Sequence, residues 1–422
     1  MQRGAAASLH AALASAEDAD AGLRRALRRS RRREELAAAA LVLPLFLFLA
    51  ACFVVPIGAM LARGVVDTDI ARTLPGVTAA LARWDGRDLP PEAAYAALIA
   101  DIRAAREAGT LASAATRLNY DIAGFRTLMF VTGRRLPEAI SGSARDALVG
   151  IDPKWGERDT WAAIRRAGGP LTDFYLLGAL DLRRDSDGSI TGAPPEERVF
   201  RRVLGRTLWI SAVVTLICLV LGYPVAYVIA AQPPGRAGAL LFLVLLPFWT
   251  SLLVRTVAWV VLLQREGVLN SLLLSLGIVH EPLKMIFNRF AVYVAMVHVL
   301  LPFMVLPLYS VMRGIPVSYT RAAASLGARP FTAFRRVYLP QTLPGIGAGC
   351  LMVFIQALGY YITPALVGGA EDQMISYFIA FYASRTVNWG MAAALSTMLL
   401  AATLALYAVY NRLVGVERMR LG

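Results

Sequence analysis

Apolar residues in this chain gather in six blocks, separated by polar stretches of very unequal length. The blocks run near Leu36–Leu61, Thr207–Ala230, Ala239–Leu263, Phe290–Met312, Leu343–Val367 and Trp389–Tyr410. A run of about 20 apolar residues in a helix crosses the hydrocarbon of a bilayer, so each block predicts a membrane helix. Within them Arg255 is the one charged residue. Between the first two blocks the pattern changes. Pro91–Ala108 opens on proline and repeats apolar residues three and four apart, which predicts an amphipathic helix. Asp185-Ser186-Asp187-Gly188 reads as a turn. The expected organisation is a basic segment 1–35, a first membrane helix 36–61, a mostly helical insertion 62–206, a five-helix core 207–412 containing a loop 313–341, and a tail 413–422.

Composition supports a membrane protein and narrows the chemistry. Of 422 residues, 57% are hydrophobic and 17% charged, and their grouping in blocks long enough to cross a bilayer excludes a wholly soluble protein. The net charge of +14 is carried almost wholly by arginine, the lysines being Lys154 and Lys284. Neither sits in a Gly-x-x-x-x-Gly-Lys-Ser/Thr context, so the chain has no phosphate-binding loop of the Walker type. Cys52, Cys218 and Cys350 lie in separate apolar blocks, and His10, His280 and His298 are dispersed. No disulfide framework, metal site or catalytic residue is expected. The insertion contains neither histidine nor cysteine, which excludes a histidine-dependent triad or a cysteine nucleophile there. It reads as a recognition or spacer domain.

The arginines in short loops set the expected orientation. A basic run (Arg24, Arg25, Arg28, Arg29, Arg31, Arg32, Arg33) precedes the first block, which reads as an uncleaved anchor. The loop after the second helix holds Arg236. That after the fourth holds Arg313, Arg321, Arg329, Arg335 and Arg336 without an acid, and the tail holds Arg412, Arg418 and Arg420. All these segments are expected to be cytoplasmic, with both termini inside and the insertion outside.

The loop from Ser318 to Pro340 is the sharpest signal. Ser318 is a candidate N-cap, Gly327 a candidate residue just past a helix end, and Pro330 suits the first turn of a second helix. Tyr319, Ala322, Ala323 and Leu326 share one mostly small face. Ala322-Ala323, three residues, Gly327, nine residues, then Val337-Tyr338-Leu339-Pro340 resembles the signature cytoplasmic loop of ATP-binding-cassette importer permeases, with Arg321 where that family has glutamate. Thr207–Tyr227, Leu246–Trp259, Gly267–Asn270, Leu301–Pro307 and Asn388–Gly390 resemble spermidine/putrescine-type permeases, so the likeness covers nearly all of Arg202–Leu413.

The resemblance implies an all-α, six-helix type I importer subunit in a bacterial inner membrane. Its implied partners are a second permease subunit, with a heterodimer expected, two ATPase subunits that carry ATP and magnesium, and an external substrate-binding protein. It has no cofactor of its own and no nucleic acid partner, and lipid surrounds it. Arg321, Ala322, Ala323, Leu326, Gly327, Val337, Leu339 and Pro340 would form the loop that couples to the ATPase. Trp249, Arg255, Trp259, His298, Gln356, Tyr360 and Tyr361 are candidates for the translocation path, because polar and aromatic groups inside a membrane bundle mark routes as well as interhelical hydrogen bonds. Gly345, Gly347 and Gly349 would let the fifth helix pack closely. A polyamine is the expected substrate, with an amino acid, an opine or an aminophosphonate as alternatives. The rival function is a self-contained secondary carrier or channel.

Overall fold

A computed structural model describes residues 36–139, 142–185 and 188–414. The basic N-terminal run, Ser186 and Asp187 of the expected turn, and the tail after Val414 lie outside the described residues. The chain divides into two compact units, one ending at Met60 and the other starting at Leu61. The described part of the first is α1 (Leu36–Ala62), apolar along its length, whose last two residues fall past the division. A π turn at Ala50–Val54 lies just before Pro56, whose missing N–H opens the helical ladder.

The second unit begins with the insertion. Eight helices follow: α2 (Asp69–Thr73), α3 (Pro75–Leu81), α4 (Glu92–Glu107), α5 (Leu111–Asp121), α6 (Phe125–Arg135), α7 (Ala144–Ile151), α8 (Arg158–Ala167) and α9 (Phe174–Ala179). The helix expected at Pro91–Ala108 is α4, entered from Pro91. Its buried face, including Tyr95, Leu98 and Ile102, meets Trp155 and Trp161 in a core of its own. The polar tips of these rings are satisfied: Trp155 Nε1 donates to Thr132 Oγ1 at 2.8 Å, and Trp161 Nε1 to the Trp155 carbonyl at 2.8 Å. Burying large rings without stranding an N–H is what makes such a core stable. Two short strands that the pattern did not reveal, β1 (Leu182–Arg184) and β2 (Ile190–Gly192), pair antiparallel with Leu182 opposite Gly192.

The remaining helices are α10 (Phe200–Ala230), α11 (Pro234–Leu245), α12 (Leu252–Leu263), α13 (Val268–Ser275), α14 (Arg289–Arg313), α15 (Val317–Ser325), α16 (Pro330–Leu358), α17 (Ile362–Val367), α18 (Ile375–Ser384) and α19 (Trp389–Val414). Six helical stretches among the described residues are long and apolar enough to cross a membrane: α1, α10, residues 252–275, α14, α16 and α19. The fold is all-α, with a single small hairpin among the described residues.

Three expected boundaries are corrected. The second membrane helix starts at Phe200, not Thr207. The third block is not one helix over Ala239–Leu263. Pro247 cannot extend the hydrogen-bond ladder of α11, the chain tightens into a 3₁₀ turn at Leu246–Trp249, and Ser251 is extended before α12. The fifth helix does not run from Leu343 to Val367; it starts at Pro330 and stops at Leu358, and α17 is separate.

Helices α10, α14 and α16 share a core that includes Ile210, Val214, Ala295, Leu300, Met304, Val353 and Ala357. The glycines of α16 close it, as expected. A Cβ at Gly345 would meet Val311 Cβ at 3.1 Å, one at Gly349 would meet Met304 Sδ at 2.7 Å, and one at Gly347 would meet the Tyr410 hydroxyl at 2.6 Å.

Candidate functional site

The two ends of α10 set the geography. Its 31 residues span about 46 Å at 1.5 Å per residue, with the insertion at its N-terminal end and the coupling loop near its C-terminal end.

The coupling loop is two helices joined at Gly327. Helix α15 is entered from Pro316, so Ser318 lies inside the first turn and is not the N-cap. Its C-terminus follows the expected design. Gly327 has φ +83°, the left-handed region where only glycine is unstrained. Its N–H donates to the Ala324 carbonyl at 2.9 Å, and the Ala328 N–H donates to Ala323 at 3.0 Å. These two bonds form a Schellman motif, which satisfies the last carbonyls and reverses the chain. Pro330 then opens α16, and Val337, Leu339 and Pro340 lie on the stretch that carries it into the membrane core.

The face predicted for docking is uncovered. Leu326 is 88% exposed, Phe331 72%, and Tyr319, Arg321 and Ala322 are exposed beside them, with Ala323 half-buried. Among the described residues Arg321, Arg329, Arg335 and Arg336 make no ion pair. An apolar, basic surface without an internal partner suits a docking site.

Only part of the candidate path comes together. Trp259 Nε1 donates to His298 Nδ1 at 3.1 Å, the rings meeting edge to face at 5.7 Å. Arg255 lies one helical turn before Trp259, within electrostatic reach of both His298 and Tyr360. Its Nε and Nη1 are buried without a hydrogen-bond acceptor. Thr256 and Thr363, hydroxyl to hydroxyl at 3.1 Å, tie α12 to α17 beside this group. Trp249 stands apart at 80% exposure, on the 3₁₀ turn created by Pro247. Gln356 and Tyr361 are also exposed, and Tyr360 and Tyr361 fall in the break after α16 rather than continuing it.

The sequence pattern missed what fixes the insertion. Arg117, buried in α5, donates to both Asp67 and Asp121, and its guanidinium lies 4.8 Å from the Phe174 ring and 5.2 Å from Tyr175. Burial alone would lower Arg117, but Asp121, Tyr175 and Asp67 hold it above the usual arginine range. Tyr175 donates to Asp67 at 3.3 Å and belongs to a buried cluster with Ile375, Met391, Ala394 and Leu395. Its ring sits so close to Gly390 that any side chain there would collide with it. Asp181 does the same work on α10: its Oδ1 accepts from the Val199 and Phe200 N–H groups at 3.1 and 2.9 Å, and its Oδ2 from Arg201 at 2.9 Å. These are unpaired donors of a helix N-terminus, and a carboxylate is their natural acceptor. Asp101 likewise accepts from Gly76 and Val77 at the start of α3. The buried acids of the insertion are therefore engaged in ion pairs and helix caps.

A family model described as binding-protein-dependent transport system inner membrane component matches residues 207–416. The spermidine/putrescine transport system permease protein PotB of Haemophilus influenzae is 39% identical over 222 residues, 51% of this chain and 77% of the relative. PotB of Escherichia coli is 39% identical over 201 residues, 48% of this chain and 73% of the relative. The chain belongs to the family of binding-protein-dependent inner membrane transport components. It is a multi-pass membrane protein and the permease subunit of an ABC importer. Among solved structures, a bacterial alginate ABC transporter in complex with an alginate pentasaccharide-bound periplasmic protein aligns over 52% of this chain and 79% of its own, with 18% identity and a TM-score of 0.44. Membership in this family sets aside the self-contained carrier or channel. The family match begins where the insertion ends, so residues 62–206 lie outside it.

Proposed function

We propose that this permease imports a polyamine, received from an external binding protein on the insertion side and driven by partner ATPases docked on α15. The observation that carries the reading is the exposed, Schellman-terminated α15, which presents Tyr319, Ala322 and Leu326 without an internal partner. ATP and magnesium belong to the partner subunits, a second permease completes the pathway, and the N-terminus lies inside. Two relatives named as spermidine/putrescine permeases support the polyamine. The Trp259 and Tyr360 rings offer faces to a cationic chain. Arg255 beside them opposes a resident polycation, which suits passage rather than storage and leaves affinity to the binding protein.

The test is reconstitution of the full chain with its partner permease and ATPase in liposomes. ATP hydrolysis should rise when binding protein loaded with spermidine or putrescine is added, and labelled polyamine should enter. Failure to assemble with the ATPase would remove the coupling role. Stimulation by an amino acid but not by a polyamine would replace the substrate. Topology is tested by Ala112→Cys, at an exposed position of α5, in a background without the native cysteines. It should react with an impermeant thiol reagent without permeabilisation.

A further inference from the structure

The coupling loop is free on one side of Gly327 and held on the other. Where α16 leaves the loop, residues Phe334–Tyr338 form a π turn, closed by the Leu339 N–H on the Phe334 carbonyl. Pro340 follows at once and has no N–H to give, so the ordinary ladder is already open here. Phe334 and Tyr338, four residues apart, share a face and stack at 5.9 Å. A matching pair, Tyr223 and Tyr227, stands on α10. Tyr227 meets Phe334 at 6.1 Å and Tyr338 at 5.4 Å, and Tyr223 meets Phe334 at 6.2 Å, all edge to face. That is the favoured arrangement of aromatic quadrupoles. Thr342 already donates to the Leu339 carbonyl, so the Tyr223 hydroxyl, 3.2 Å away, donates to Thr342 Oγ1. On the other flank Arg313, at the end of α14, donates from Nη1 to the Ala230 and Gln232 carbonyls at 3.1 and 2.9 Å. These are acceptors that the C-terminus of α10 leaves open, and a cation there is doubly favourable.

We infer that Tyr223, Tyr227, Phe334 and Tyr338 are positioning residues that clasp the second half of the coupling loop to α10, and that Arg313 likewise holds the end of α14 to α10, so that a displacement of α15 moves the loop ends of α10, α14 and α16 as one body about the joint at Gly327. The inference rests on the ATPase-driven reading above. In its simplest alternative α16 alone carries the motion and the rings are packing only. The clasp predicts otherwise, because a membrane helix tied at its end by four rings and two carbonyl bonds cannot lag behind its neighbour.

The reconstituted complex tests this through the ratio of polyamine transported to ATP hydrolysed. The wild-type chain is assayed first: absence of assembly or of stimulated hydrolysis at that stage counts against the ATPase-driven reading itself. In Phe334→Ala the ATPase should still dock and hydrolyse ATP, since α15 is untouched, while transport per ATP falls about tenfold, on the scale of losing several ring pairs. Tyr338→Phe, which keeps the ring, should remain near wild type. The pair Tyr227→Cys with Tyr338→Cys, in a chain lacking the native cysteines, should be uncoupled until joined by a short bifunctional thiol reagent, and joining should restore transport per ATP. An unchanged ratio in Phe334→Ala, or arrest or no recovery on joining the cysteine pair, overturns the clasp.

Discussion

At the N-terminal end of α10 the chain is pinned from several directions. Asp181 caps the helix, Tyr175 fills the space over Gly390, and Arg117 and Asp67 hold Tyr175. Thr207 Oγ1 accepts from the Ile375 N–H, and Arg289 pairs with Asp372 at 2.9 Å. At the opposite end, α15 leaves Tyr319 and Arg321 exposed, with Leu326 exposed at its end, and Arg321, Arg329, Arg335 and Arg336 along the loop make no ion pair among the described residues. The insertion is thus built as a fixed cap on the permease core. The loop proposed to couple to the ATPase instead leaves its apolar face uncovered. A surface that must bind a partner cannot also satisfy itself internally, and this explains why the two ends differ so much in buried polar contacts.

The contrast can be broken from the fixed end with the largest effect. Arg117→Met leaves Asp67 and Asp121 buried without their cation and should cost the insertion about 3–5 kcal/mol. Hydrogen exchange of the full chain should accelerate across α5, α9 and the start of α19, with α15 unchanged. Acceleration spreading no further than α5 would mean that the seat on α19 does not depend on this network. Asp181→Ala strands three N–H groups and should destabilise the start of α10 by about 1–3 kcal/mol. Asp181→Asn, which keeps an acceptor oxygen and suits the left-handed backbone at φ +56°, should cost less than half as much.

At the free end the energies shrink while the functional effect grows. Gly327→Val forces a β-branched residue into the left-handed region, a local cost of about 1–2 kcal/mol. Membrane abundance should hold and substrate-stimulated ATP hydrolysis should be lost; Arg321→Ala should tolerate the change better. Full stimulation in Gly327→Val at normal abundance would take this joint out of the mechanism. Leu326→Ser should alter stability by no more than about 0.5 kcal/mol yet weaken ATPase docking about tenfold or more, since a buried leucine contributes that much to an interface.

The smallest effect is a pH dependence inside the insertion. Burial pushes the Asp101 carboxyl up, partly offset by the Val77 and Gly76 N–H groups, and the net shift is upward. The folded state therefore takes up this proton at a higher pH than the unfolded chain, so this group adds stability as pH falls through the folded value toward the ordinary aspartate range. Unfolding curves at stepped pH should show the wild type gaining on Asp101→Asn over that window. A gap between them that does not vary with pH would place Asp101 in a better solvated site than its burial indicates.

Much of the coupling loop was legible because its signals are local. Gly327 and Pro330 follow from backbone chemistry within a few residues, the spacing to Pro340 from the resemblance to the family's signature loop, and the shared face from helical spacing. The candidate path was less legible. Arg255, Trp259, His298 and Tyr360 converge from three separate segments, while Trp249, Gln356 and Tyr361 do not join them. Hydropathy also hid the division of the third block, since Pro247 sits in an apolar run whether or not the helix breaks there. The two ring pairs of the clasp went unread in the sequence: each pair is four residues apart, but nothing in the spacing says that they meet.

The sequence by itself determined that this chain crosses a membrane, how many blocks do so, where a helical insertion interrupts them, and where the coupling loop turns. Each of these follows from transfer of apolar side chains out of water and from backbone preferences, which act over a turn or two. Tertiary structure alone decided that Asp181 caps α10, that Tyr175 sits on Gly390, and that Arg313 bridges α14 to α10. Those contacts join residues far apart in the chain. Their formation depends on which helix ends the fold brings side by side, because an unpaired N–H or carbonyl accepts whatever suitable partner packing delivers.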